Sequence, residues 1–279
     1  MIASRVLNLW HLTSMDAPTV AVVWSLGFAW VGGVRLPAWV PALLALTVWA
    51  VYVADRVLDA RAGLRSPDNN ILRERHFFHW RYRRILLPLA GAAACAVVWL
   101  ILNFMPVVAR ERNSMLAAAA LVYFMRVHAG QRPAPVLPRI FSKELLVGLL
   151  FTCGCALPAL ARAPIWPVMA PVGLFAVLAW LNCRAIDAWE GGGASAPLDP
   201  FSIAASAGAI GVAGLAIAGV LLMWQPRAAA MIAAGAASAL LLALLDGLRG
   251  RLAAVTLRAM ADLVLLTPAV IAVVGWVRR

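Results

Sequence analysis

Three stretches of this sequence contain no charged residue, and each is long enough to cross a lipid bilayer. They cover residues 85–109, 163–183 and 200–226, whereas a transmembrane helix needs about 20 apolar residues. In soluble domains about a quarter of the residues are charged, so stretches of this length are unusual. They therefore predict helices that span a membrane.

The rest of the chain has the same apolar character. Hydrophobic residues make up 64% of it and charged residues 13%, and its mean hydropathy is +0.88. The formal net charge is +12, but the basic residues lie in loops beside the apolar segments and form no stripe of the kind that binds nucleic acid. We therefore expect an integral membrane protein that contacts membrane lipids and phosphorylated substrates, and no nucleic acid.

Hydropathy windows of about 20 residues divide the chain into nine spans within one transmembrane helical domain, residues 1–279. The spans are 17–34, 38–58, 85–105, 114–130, 139–161, 165–188, 202–224, 228–248 and 258–277. Proline-containing turns at 34–37, 161–164 and 225–227 separate neighbouring spans, because proline stops a helix. The expected fold class is an all-α integral membrane protein with nine transmembrane helices.

The basic residues are distributed unevenly between the two sides of these spans. One side carries 17 of the 24 Lys and Arg residues and the other carries 7. Because Lys and Arg are enriched on the cytoplasmic side, we expect a cytoplasmic N-terminus and an external C-terminus. Arginine outnumbers lysine 23 to 1 among those 24, which is typical of high-GC bacteria, so we expect the bacterial plasma membrane.

The longest loop, 60–84, is also the most highly charged, and its second half mixes arginines with aromatic residues. Such a segment is typical of an interfacial anchor on anionic lipid. Alternatively, it is a lid that supplies arginine to a phosphate group. The pair His76 and His79 also fits a metal site, although no further ligand is suitably spaced.

Six carboxylates gather near the predicted cytoplasmic ends of the spans: Asp55, Asp59, Asp187, Glu190, Asp246 and Asp262. An acidic residue at membrane depth costs a few kcal/mol, so it usually marks a functional site or an ion pair. The spacing of Asp55 and Asp59 places both on one helix face, about 6 Å apart along the axis. Asp187 and Glu190 share a face in the same way.

Two such pairs facing each other would hold one or two Mg²⁺ ions, which prefer carboxylate, water and phosphate oxygen. A diphosphate bridging the ions would complete their coordination. The alternative is that each acidic residue pairs with a neighbouring arginine, Asp55 with Arg56 or Arg61 and Asp187 with Arg184. A proton relay is a poorer fit, because relay carboxylates lie near the bilayer midplane.

The nine spans and the acidic motifs that end the second and sixth resemble the UbiA-type intramembrane prenyltransferases. This resemblance implies a Mg²⁺-dependent enzyme that moves an isoprenyl chain from its diphosphate to a lipid-soluble, aromatic acceptor. It implies catalytic roles for Asp55, Asp59 and Asp187. The same three residues would bind Mg²⁺, with Glu190 recruited as a further ligand.

The resemblance also suggests which cations contact the diphosphate, namely Arg61, Arg73 and Lys143. The chain departs from the family at two motif positions, where Val51 replaces the expected Asn and Cys183 the expected Asp. A noncatalytic lipid- or quinone-binding protein with a degenerate site is therefore the second hypothesis. A small-solute transporter is the third.

The charge distribution makes a prediction about topology. Reporter domains fused after Arg84 and after Arg279 should report opposite sides of the membrane, cytoplasmic and external respectively, because seven predicted spans separate the two positions. Alkaline phosphatase and fluorescent-protein fusions measure this directly. The same side for both fusions would exclude an odd number of spans.

Overall fold

The computed structural model describes residues 2–64, 73–128, 143–190 and 202–271, and these residues form helices without any strand. In chain order the helices are α1 (Ile2–Leu12), α2 (Asp16–Val31), α3 (Trp39–Gly63), α4 (Glu74–Arg81), α5 (Arg83–Phe104), α6 (Val107–His128), α7 (Lys143–Leu160), α8 (Ile165–Glu190), α9 (Ile203–Leu221), α10 (Pro226–Leu248) and α11 (Ala254–Leu263). The predicted all-α fold class is therefore confirmed.

Six of the described helices are long and apolar enough to cross a membrane: α3, α5, α7, α8, α9 and α10 with the 3₁₀ turn that follows it. The remaining three predicted spans correspond to shorter or more polar helices. Helix α2 is apolar but has 16 residues, and α6 carries three charged residues at positions 110–112. Helix α11 has 10 residues, and positions 272–277 of the predicted ninth span lie outside the described residues. The count of nine transmembrane helices stays a prediction.

Proline positions the helix boundaries as expected. Helix α7 ends at Leu160 and α8 begins at Ile165, directly after Pro164, while Pro226 is the first residue of α10. Proline suits the first turn of a helix, because the amide proton that it lacks would have no partner there. The segment between α2 and α3 contains Gly33, whose φ of +70° favours a residue without a side chain. The predicted turns at 34–37 and 161–164 are confirmed, whereas the third lies at 222–225 instead of 225–227, because Pro226 begins α10.

The helices separate into two compact units. The first unit comprises Met1–Pro18 and Pro37–Ile140, and the second comprises Thr19–Leu36 and Phe141–Arg279. In the first unit, α3 and α5 pack through Val53, Leu86 and Ala90, and Phe78 of α4 lies against this cluster. Phe78 therefore holds the short helix α4 against the C-terminal half of α3.

The second unit has an aromatic and an aliphatic core. The Trp24 and Phe175 rings stack with centroids 4.1 Å apart, and the Trp24 indole donates a hydrogen bond to the Leu265 carbonyl at 2.8 Å. Aliphatic side chains of α8, α9, α10 and α11 form a second cluster, which includes Leu181 and Leu242. This packing places the C-terminal ends of α8 and α10 beside α11.

Helices α7 and α8 approach closely at Gly148. An added Cβ at this position would lie 2.8 Å from the backbone nitrogen of Trp180, which a side chain cannot relieve by rotating. We expect Gly148→Ala to destabilise the protein by about 1–3 kcal/mol, because the two helices must separate. Thermal unfolding in detergent measures the loss.

The matched control is Gly173→Ala, since an added Cβ on this residue of α8 meets no heavy atom within 4 Å. That variant should be as stable as the parent or slightly more stable, because alanine favours helix over glycine. Equal melting temperatures for the two variants would show that the α7–α8 contact tolerates a methyl group.

Candidate functional site

The acidic pair of the first unit lies in the last three turns of α3. Asp55 and Asp59 are half-buried and one helical turn apart, while Arg61 on the following turn is exposed. The Asp59 Oδ2 atom lies 3.9 Å from His76 Nε2 of α4. The predicted pair is therefore on one helix face, with a helix of the basic loop beside it.

The first turn of α4 determines the tautomer of His76. The Arg73 backbone N–H donates a hydrogen bond to His76 Nδ1 at 3.1 Å, so Nδ1 carries no proton. The proton of the ring is then on Nε2, the atom that faces Asp59. Arg73 itself is exposed at the start of α4, as a residue that contacts a diphosphate needs to be.

The second histidine of α4 has a different role. His79 is fully buried, and its Nδ1 donates to the Arg75 carbonyl at 2.8 Å. Its Nε2 must then accept, so the Ser14 hydroxyl donates to it at 3.1 Å. Both ring nitrogens of His79 are thus engaged within the protein, which argues against the predicted metal pair with His76.

Residues 13–15 form an elbow, a turn with a strained backbone, between α1 and α2, and Ser14 lies in its middle. Its φ is +56°, a conformation that costs a non-glycine residue about 1–3 kcal/mol and needs support from its surroundings. Besides His79, the Trp49 indole of α3 supports this elbow by donating to the Thr13 carbonyl at 3.0 Å. The contacts of His79 and Trp49 hold the elbow onto α3 and α4.

In the second unit, the two residues of the other predicted acidic pair differ in environment. Asp187 is exposed near the end of α8, so its carboxylate is accessible. Glu190 accepts a hydrogen bond from the Arg258 guanidinium of α11 in an ion pair. Lys143, the predicted diphosphate contact, is exposed at the first residue of α7.

Asp246 connects three helices. Its Oδ1 accepts the Trp189 indole N–H at 2.8 Å, and its Oδ2 accepts the Ala204 backbone N–H at 3.2 Å. An anion is stabilised at the N-terminus of a helix, here that of α9, and Arg249 lies 3.4 Å away. This carboxylate has a structural role that the sequence did not reveal, because its partners are 42 and 57 positions distant.

Asp262 contacts α8 about two turns before that helix ends. The Asn182 Nδ2 group donates to Asp262 Oδ1 at 3.1 Å, and Asn182 is buried. The local sequence pattern does not reveal this contact of Asp262, because Asn182 is 80 positions away.

The predicted site residues are therefore divided between the two units. Asp55, Asp59, Arg61 and Arg73 belong to the first unit, whereas Lys143, Asp187 and Glu190 belong to the second. No family model matches this chain, and neither a curated protein nor a solved structure matches it. The meeting of the two acidic pairs and the resemblance to the UbiA-type enzymes stay predictions.

The environment of His79 makes a prediction about pH. Burial lowers the pKa of His79 below its ordinary value of 6.5, and the nearby Arg56 lowers it further, against the opposing effect of the hydrogen bond to Arg75. The folded state therefore favours the neutral ring. As the pH falls below 6.5, the unfolded chain takes up a proton that folded His79 does not, so stability should decrease.

Thermal unfolding between pH 7.5 and 5 measures this decrease. His79→Gln, whose amide oxygen can still accept from Ser14 but does not titrate, should show a shallower decrease over the same range. Identical pH profiles for the parent and the variant would assign the acid sensitivity to other groups.

Proposed function

We propose that this chain is a nine-helix membrane prenyltransferase of the UbiA type. It transfers an isoprenyl chain from its diphosphate to a lipid-soluble, aromatic acceptor. The observation that carries this proposal is the end of α3, where Asp55 and Asp59 lie one turn apart and half-buried beside the basic helix α4. A plasma-membrane location with a cytoplasmic N-terminus is part of the same proposal.

The donor chemistry of this helix end fits Mg²⁺. Both carboxylates offer hard oxygen ligands, about one helical turn apart, and neither is enclosed in the apolar core. Asp187, which is exposed at the end of α8, is the third candidate ligand. Glu190 is the poorest fit of the predicted four, because Arg258 already donates to its carboxylate. When bound, Mg²⁺ would neutralise the charge that develops on the departing diphosphate.

Cationic residues of the chain make the remaining contacts with the diphosphate. Arg61, Arg73 and Lys143 are exposed at helix ends, where a guanidinium or ammonium group can contact phosphate oxygens. Helix α4 acts as the lid proposed for the basic loop, since it carries Arg73 at its start and packs onto α3. Residues 65–72 of that loop lie outside the described residues.

The apolar helices provide the environment that the reaction needs. The allylic C–O bond breaks with its electron pair moving to the diphosphate, and the prenyl carbon is then captured by the acceptor, which loses a proton. Water would compete with the acceptor for that carbon. Helices that are long and apolar enough to cross a membrane keep water away from the isoprenyl group of the substrate. They also provide an apolar environment for both lipid reactants.

One observation favours the second candidate, a noncatalytic protein that binds lipid or quinone. Cys183 stands where a prenyltransferase motif has a carboxylate, and Glu190, which could replace it, is paired with Arg258. In this case the chain keeps the fold and the cations that bind the diphosphate, but it lacks a complete set of metal ligands. Binding of a substrate analogue without turnover distinguishes this candidate from the enzyme.

The proposal is tested with the purified full-length chain, Mg²⁺ and a long-chain isoprenyl diphosphate against a panel of aromatic and quinone-precursor acceptors. At least one acceptor should be prenylated with release of diphosphate. Asp55→Asn and Asp187→Asn should each reduce this rate by about two orders of magnitude, as loss of transition-state charge stabilisation does elsewhere.

The control is Glu111→Gln, which removes an exposed carboxylate from α6 and should leave the rate unchanged. Analogue binding without product from any acceptor would favour the noncatalytic candidate. If neither binding nor product is observed, the prenyltransferase proposal fails.

A further inference from the structure

We propose that the second unit binds the phosphate headgroup of an anionic phospholipid at the end where α8 and α10 begin. The site is a shallow cavity of about 230 Å³ beside the end of α2. It lies at the opposite end of α8 from Asp187 and Glu190, at least about 30 Å away along the helix axis. The proposal therefore does not rest on the prenyltransferase function, and its ligand is a lipid of the surrounding bilayer.

Three helix ends form this cavity. Gly32, directly after α2, is so close to the turn between α7 and α8 that an added Cβ would lie 2.3 Å from the Ala163 side chain. The cavity is lined by residues at the end of α2 and at the starts of α8 and α10, namely Val31, Pro167, Gln225, Pro226, Arg227 and Ala228. Pockets that enclose a whole small ligand usually have about 300–1,000 Å³. The smaller volume here suits a headgroup whose acyl chains stay in the bilayer.

Two polar side chains of the cavity can bind phosphate. The Arg227 guanidinium lies over the Trp30 ring, with Cζ 5.8 Å from the ring centroid, and its Nη1 atom is 3.5 Å from the Trp30 carbonyl. The ring restricts the orientation of the guanidinium, and this long hydrogen bond uses only one of its five donors. Arg227 is exposed, so its other N–H groups can bind two phosphate oxygens in parallel. The Gln225 side chain does not cap α10, and its amide can donate to the same phosphate.

The charge at this end of the unit is positive. Residues 28–36, 158–170 and 221–230 include three arginines, Arg35, Arg162 and Arg227, and no acidic residue. Each basic residue near a membrane surface strengthens the attraction to anionic lipid. In a zwitterionic lipid the headgroup carries its own cation, which offsets the phosphate. The arginines therefore complement an anionic phospholipid.

Exposed tryptophans indicate the depth of the cavity in the membrane. Trp166 and Trp224 are the sequence neighbours of the lining residues Pro167 and Gln225, and they are 86% and 85% exposed. Tryptophan is enriched where lipid headgroups meet the hydrocarbon, because its ring is apolar and its N–H group is polar. This places the cavity at the level of the phosphate groups of the bilayer.

Native mass spectrometry of the full-length chain in detergent tests the proposal, with dioleoyl phosphatidylglycerol as the anionic probe and dioleoyl phosphatidylcholine as the zwitterionic one. The parent should bind phosphatidylglycerol at least about fivefold more tightly, the gain expected from one basic residue near an anionic lipid. Arg227→Gln should lose this preference, whereas Arg227→Lys keeps the charge and should retain most of it. Gln225→Glu places a carboxylate in the cavity and should also lose it, and this variant remains informative if Arg227→Gln does not fold.

The matched control is Arg162→Gln, which removes the same charge from the same end of the unit. Arg162 donates to the Pro158 carbonyl at 2.9 Å and does not line the cavity, so the preference should stay within about twofold of the parent. An equal loss in Arg162→Gln and Arg227→Gln would overturn the proposal, because it would show that net charge alone attracts the lipid. Excess inorganic phosphate should not displace the lipid, and displacement would assign the cavity to free phosphate instead.

A folded parent without any preference for phosphatidylglycerol would also overturn the proposal. The same spectra show whether the chain forms a dimer. A dimer that replaces lipid binding and that Arg227→Gln dissociates would assign this end of the unit to a second copy of the chain. These outcomes are separate from those for prenyl transfer, because Arg227→Gln should leave the rate of prenylation in detergent unchanged.

Discussion

The structure depends on one constraint, which is the cost of leaving a polar group without a partner in hydrocarbon. In a bilayer core every backbone amide must be bonded within the protein. A helix achieves this within one segment, so helices are favoured over sheets with open edges. The described residues accordingly form helices and no strand, and six of these helices are long and apolar enough to cross a membrane. Charged groups are confined to the ends of such helices, where water or a counter-charge is within reach.

The same constraint divides the carboxylates into two groups. Asp246 and Glu190 are engaged by an indole, a helix N-terminus or a guanidinium of the protein itself, and removing the partners of Asp246 would leave a buried charge. Asp55 and Asp59 are half-buried at the end of α3, and Asp187 is exposed.

Polar contacts also stabilise a strained segment of the first unit. The elbow that contains Ser14 adopts a positive φ; the Ser14 hydroxyl donates a hydrogen bond to His79, and the Thr13 carbonyl accepts one from Trp49. His79 is on α4, the same helix that brings His76 near Asp59. The geometry of the elbow and the placement of α4 beside the acidic pair are therefore coupled.

Much of this architecture follows from the sequence alone. The charge-free stretches predict apolar helices, the turn that ends in Pro164 predicts where α8 begins, and the four-residue spacing predicts that Asp55 and Asp59 share a face. These are local properties, set by backbone geometry and by the transfer of side chains from water, and they need no information about distant residues.

Tertiary structure decided which polar groups are partners. The contacts of Asp246 with Trp189, of Glu190 with Arg258 and of Asp262 with Asn182 join residues 57, 68 and 80 positions apart. Nothing in the local pattern distinguishes these carboxylates from Asp187, since all four lie near helix ends. Their roles differ because packing of α8, α9, α10 and α11 determines which donor each one meets, and that packing depends on the shapes of many apolar side chains together.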